Sequence, residues 1–101
     1  MKQIKRDLKD LKIYFENKEK FDKYYEMYQD ADNSIQHKAH SFGRCIACGP
    51  IHIQEIYMEL YINHKTTFQL ANEKYCSEDY LNKRKRELFN YLYQHKDKLY
   101  P

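Results

Sequence analysis

Between His37 and His52 the chain reads HKAHSFGRCIACGPIH, and this stretch holds most of its histidine and cysteine. Cys45 and Cys48 stand two residues apart, a spacing at which a turn brings both thiolates to one ion. His37 and His40 repeat a similar spacing upstream, so His-x2-His-x4-Cys-x2-Cys offers the four nitrogen and sulfur ligands of a closed zinc site. The expected cofactor is therefore zinc, held by Cys45, Cys48, His37 and His40. Its role would be structural, because four protein ligands leave no open position for a reacting water. His52, four residues after Cys48, and the distant Cys76 are substitute ligands, while His64 points to the wrong end of the next helix. The plainer alternative is two reduced cysteines in a loop beside solvated histidines, with Cys76 a small buried hydrophobe.

The run Cys45-Ile46-Ala47-Cys48-Gly49 resembles the zinc knuckle of zinc-ribbon proteins, which implies metal on both sulfurs. The same cysteines precede a helix start, where the dipole lowers a thiol pKa. In that setting Cys-x-x-Cys resembles the small helical sulfhydryl oxidases, which implies dithiol–disulfide cycling beside a flavin. The chain departs from that family in having no Trp. No strand pattern surrounds the motif, so thioredoxin is a poor fit.

Elsewhere the chemistry thins out. There is no Gly-rich phosphate loop, nucleophile elbow or His-Glu-x-x-His sequence. Glu55 and Glu59, four residues apart on a helix, read as solvent carboxylates. The run Lys83, Arg84, Lys85 and Arg86 is the candidate nucleic-acid contact, with Tyr80, Tyr91 and Tyr93 on the same helix available to stack on bases. Glu78, Asp79 and Glu87 interrupt that patch, so a solvated helix face is the competing reading.

The elements that must position these groups are helical. Ile4, Leu8, Leu11 and Phe15 follow at spacings of four, three and four, one face of a helix. Lys5, Lys9 and Lys12 run along one flank, Asp7 and Asp10 along the other. The phase slips near Asn17, where a second helix begins with Phe21, Tyr24, Tyr25 and Tyr28 and runs to about Asp30. Asp30 to Ser34 is polar turn material. After the central loop, Pro50 suits a first helical turn, and Ile53, Ile56, Tyr57, Leu60, Tyr61 and His64 form the strongest amphipathic line, the core helix. Thr66 and Gln69 read as a capping box for a short helix carrying Phe68, Ala71 and Tyr75. Ser77 caps a last helix, running to about Lys98, with Leu81, Leu88, Leu92, His95 and Leu99 inward. Four consecutive charges at Lys83–Arg86 predict a turn that projects from the body.

The expectation is an all-α bundle of four to five helices, one domain over residues 1–101, around a central Cys/His loop stapled by zinc. Two glycines and two prolines among 101 residues favour long helices over many turns. With 42% hydrophobic and 33% charged residues, the chain carries enough apolar surface not to be a disordered tail. A net charge of +3 permits nucleic-acid binding without requiring it. No apolar run is long enough to span a membrane, and no secretory leader pattern opens the chain. Three cysteines and no leader predict a reducing cytoplasm rather than a disulfide framework. Eleven tyrosines with mixed-sign charge and no catalytic constellation point to a non-enzymatic regulatory or inhibitory protein that works by macromolecular contact. A protein partner ranks first, a zinc-stabilised nucleic-acid module second, a thiol oxidoreductase third. Self-association into a homodimer is a further expectation.

Overall fold

The computed structural model describes residues 1–28 and 34–100, and every regular element among them is helical. The first helix, α1 (Lys2–Glu16), buries Ile4, Leu8, Leu11 and Tyr14 and half-buries Phe15, the face its spacing predicts. The break falls at Asn17, whose Nδ2 donates to Ile13 O at 3.0 Å in competition with the helix ladder. The second helix, α2 (Lys18–Met27), buries no residue. It is held by Asp22, whose Oδ1 accepts from Tyr14 Oη at 3.0 Å and from Gln36 Nε2 at 2.9 Å. The turn expected over Asp30–Ser34 lies outside the described residues, apart from Ser34.

The central loop is the main correction. From Ser34 to Ala47 the chain is a helix, α3, and only Cys48, Gly49 and Pro50 remain as a turn. Ile35, Ala39, Phe42 and Ile46 repeat the spacing of four, three and four found in α1. Phe42, Cys45 and Ile46 are buried, and Ile35 and Ala39 pack half-buried against the core. Burial of that stripe outweighs Gly43, which costs about 1 kcal/mol relative to Ala inside a helix.

Pro50 then opens α4 (Ile51–Tyr57), which continues into a π-helical segment, Met58–Ile62. The wide turn is marked by Asn63 N–H donating to Met58 O at 2.8 Å. Ile53, Ile56, Tyr57, Leu60 and Tyr61 are buried as the amphipathic line predicts. His64 is not. It adopts φ 44°, the left-handed conformation that turns the chain out of the helix, and is exposed. The capping box at Thr66 and Gln69 forms in both directions and starts α5 (Thr67–Lys74). Its inward face is Leu70 and Ala71. Phe68 is exposed, and Tyr75 is 96% exposed because it sits at φ 54° in the helix stop rather than on the helix face.

Ser77 Oγ accepts from Tyr80 N at 3.1 Å and caps α6 (Glu78–Gln94). This helix runs through Lys83–Arg86 as expected, but that turn projects only in part, with Lys83 and Arg86 exposed and Arg84 and Lys85 half-buried; the helix packs against α4, α5 and α1 through Leu81, Leu88 and Leu92. A short α7 (Lys96–Leu99) follows, giving seven α-helices among the described residues where four to five were expected. Asp7 ties the chain ends together. Its carboxylate is 3% exposed, accepts from Lys38 Nζ of α3 at 2.8 Å, and also accepts from the Tyr100 hydroxyl. No helix among the described residues is long and apolar enough to cross a membrane.

Candidate anion-binding groove

In α1, Lys5, Lys9 and Lys12 each follow a buried residue, Ile4, Leu8 and Leu11, by one position. At 3.6 residues per turn that sets them on a stripe beside the buried one, along the rim where α1 meets its neighbours. Lys85 reaches the same rim from α6. It stands four residues after Leu81 and three before Leu88, in a slot of the apolar line where a hydrophobe is expected, and is therefore half-buried. Arg6 from α1 and Lys65, just ahead of α5, complete a set of six cations around one groove of about 840 Å³. Its apolar floor is Leu60, Tyr61 and Phe89, and no aspartate or glutamate lines it. The volume falls within the range of small-molecule and cofactor sites.

The charges are poorly compensated. Lys65 is satisfied, with Nζ 2.6 Å from Glu59 and 2.7 Å from Glu73. Lys5, Arg6, Lys9, Lys12 and Lys85 have no carboxylate partner among the described residues. Burial, and then the charges of Lys12 and Lys5, hold the Lys85 ammonium below its ordinary pKa. What screens the cluster is a ring: Lys5 Nζ lies 5.5 Å and Lys85 Nζ 5.9 Å from the centroid of Phe89, a cation–π arrangement. The lining carries no cysteine, histidine or carboxylate; its ionisable side chains are the six cations and Tyr61.

The residues singled out from sequence fall elsewhere. Lys83 and Arg86 are exposed on different sides of α6 from Lys85. Arg84 faces away from the groove, with its guanidinium 2.8 Å from Glu87 and 5.1 Å from the Tyr80 ring centroid. Of the four-residue basic run, one side chain reaches the groove. The tyrosines expected to stack on bases do not line it either. Tyr91 Oη donates to Cys45 O at 2.7 Å, and its ring lies against His95. Tyr93 is exposed beneath Lys96. Phe89 was missed as a candidate, although its place four residues after Lys85 and next to Leu88 was open to view; so was the flank of lysines in α1.

The helical state of 37–47 also disperses the Cys/His set. His40 precedes Cys45 by five residues, about 7.5 Å along the axis and some 140° around it. His37 and His40 are exposed, whereas Cys45 is buried at 5%. Cys48 is exposed, one turn on from Cys45. His52 sits on the first turn of α4 as expected, but beside Glu87 at 3.5 Å rather than beside the sulfurs. Cys76 lines a separate depression of about 560 Å³. Among the described residues no three of His, Cys, Asp and Glu are grouped to hold an ion. Of the two cysteines, only Cys48 stands just ahead of a helix start, two residues before the Pro50 cap of α4. Cys45 lies in the last turn of α3, the negative end of its dipole. Burial, and to a lesser degree Cys48, pushes its thiol up, although Lys98 pulls the other way.

Compared with protein families, curated proteins and solved structures, the chain matches none.

Proposed function

We propose that this chain is a non-enzymatic binding protein whose partner is a macromolecule presenting a run of negative charge to the groove between α1, α6 and the Lys65–Thr67 corner. One observation carries the reading: Lys5, Arg6, Lys9, Lys12 and Lys85 share a concave surface whose lining has no carboxylate. Like charges held together cost stability, and a bound anion returns it. The mild net charge of +3 makes the local concentration the informative quantity. A structural zinc on Cys45 and Cys48 is a separate matter; the described residues bring no third ligand to them, and it is no part of this proposal.

A protein partner, ranked first from sequence, draws support from a second feature. On α2, which buries nothing, Phe21 and Tyr25 stack at 6.3 Å between centroids and Tyr24 and Tyr28 lie at 4.8 Å. Such an aromatic surface suits protein contact, including contact with a second copy.

The groove reading is tested by charge reversal. Lys5→Glu, Lys9→Glu and Lys12→Glu together are expected to elute from a heparin column at much lower salt than the parent. Lys18→Glu, Lys20→Glu and Lys23→Glu on α2 change net charge equally and should elute near the parent. Equal displacement of the two variants would place the binding in overall charge and reject the groove.

A further inference from the structure

We infer that the occupant of the groove is a single-stranded nucleic acid, its phosphates along α1 and a base against Phe89; this rests on the groove reading above. Three features favour it over an acidic protein segment.

The first is register. Lys5, Lys9 and Lys12 form a row about 10 Å long along α1, one cation per turn, to which successive phosphates of a strand can pair. The second is the kind of cation. Five of the six in the groove are lysines and one is Arg6. An ammonium is a point charge suited to a single phosphate oxygen, whereas planar carboxylates select the bidentate fork of arginine. The third is the floor. A polyanionic peptide has no use for an aromatic ring between two ammoniums, but every base has a π-face. Phe89 is half-buried, and its ring is shared by Lys5 and Lys85. Phosphates that draw those two ammoniums outward leave the ring open to a base. Leu60 and Tyr61 also line the groove but are buried, so the stacking falls to Phe89.

The concavity separates single strands from duplex. A groove of about 840 Å³ admits a strand with its bases turned inward. A duplex of the same length fills several times that volume, so most of it would stay outside the groove.

The test is fluorescence anisotropy with three probes at equal salt: a mixed-sequence single-stranded oligonucleotide of about ten nucleotides, within the site sizes of single-strand binders, the same sequence as a duplex, and poly-glutamate of similar charge. The single strand is expected to bind at least about tenfold more tightly than either competitor. Its log K should fall against log salt with a slope near −3, from about four phosphates at about −0.7 each. Lys5→Gln with Lys12→Gln should flatten that slope by about 1.4, two phosphates' worth. Phe89→Leu, checked for parental helix content, should weaken the single strand about tenfold and leave the slope alone, the loss of one stacked base. Poly-glutamate binding as tightly as the oligonucleotide would overturn the nucleic-acid assignment and leave the groove reading standing. Duplex binding as tightly as single strand, or a folded Phe89→Leu without effect, would also overturn it. Binding of none of the three at low salt would sink both.

Discussion

Tyr57 places a phenol oxygen in the core with no hydrogen-bond partner among the described residues. Its ring meets Phe15 edge-on at 6.4 Å and stacks on Tyr61 at 5.9 Å, so packing fixes the side chain while the hydroxyl goes unserved. An unmet buried hydroxyl costs about 1–3 kcal/mol. Tyr57→Phe keeps the ring contacts and is expected to raise stability by about 1 kcal/mol in urea unfolding; a fall would mean that the oxygen is paired. Lys85 is the opposite case, a charge in an apolar slot that the groove puts to use. Both residues stand in the sequence at positions whose phase marks them as inward. What phase alone does not carry is the partner: whether an inward tyrosine finds an acceptor, or an inward lysine a rim, depends on the element packed opposite. The same limit applies to Cys45, whose pairing with Cys48 suggested a ligand until the helix turned its sulfur inward.

At the scale of elements, the two glycines separate local propensity from packing. A Cβ on Gly43 would meet nothing within 4 Å, so Gly43→Ala is expected to stabilise α3 by about 1 kcal/mol through helix propensity. A Cβ on Gly49 would lie 2.7 Å from Cζ of Tyr91, whose hydroxyl is bound to Cys45 O and whose ring is held against His95. Gly49→Ala must push that ring away from the junction of α3, α4 and α6, and should cost about 2 kcal/mol. Thermal melts of the pair should therefore shift in opposite directions, and a common direction would count against this account of the joint. Ends of elements were the most legible part of the chain. The Thr66–Gln69 box, the Ser77 cap and the break at Asn17 all depend on residues within one turn of each other. The helix at 34–47 is masked in the sequence by its histidines, cysteines and Gly43, which interrupt the apolar stripe of Ile35, Ala39, Phe42 and Ile46, although the phase of that stripe is as regular as that of α1. Joint geometry, such as Tyr91 over Gly49, links positions too distant for any local pattern to reveal.

Across the whole molecule, packing holds several of the eleven tyrosines in their protonated form. Burial, aided by Asp22 at Tyr14, pushes Tyr14 and Tyr61 from the ordinary 10.0 up to about 12. Burial raises Tyr57 and Tyr100 as well, with Asp7 adding to the effect at Tyr100. Between these values the folded state holds protons that the unfolded chain has released. Stability is thus fully present below pH 10 and falls as pH rises towards 12. Phenolate absorbance should show Tyr14, Tyr57, Tyr61 and Tyr100 ionising only as the helical signal is lost. Ionisation of Tyr14 and Tyr61 near pH 10 with helices intact would contradict the packing described. The same view bears on function, since cations scattered through the sequence converge from α1, α6 and the Lys65 corner on one groove, a convergence no single run such as Lys83–Arg86 displays. The most direct test is an NMR titration of the full chain with a short single-stranded oligonucleotide. Shift changes should concentrate at Lys5, Lys9, Lys12, Thr66, Lys85 and Phe89 and spare α2 and α7. Changes centred on Lys83, Arg86 and Tyr93, or spread evenly over the surface, would contradict the assignment of the groove.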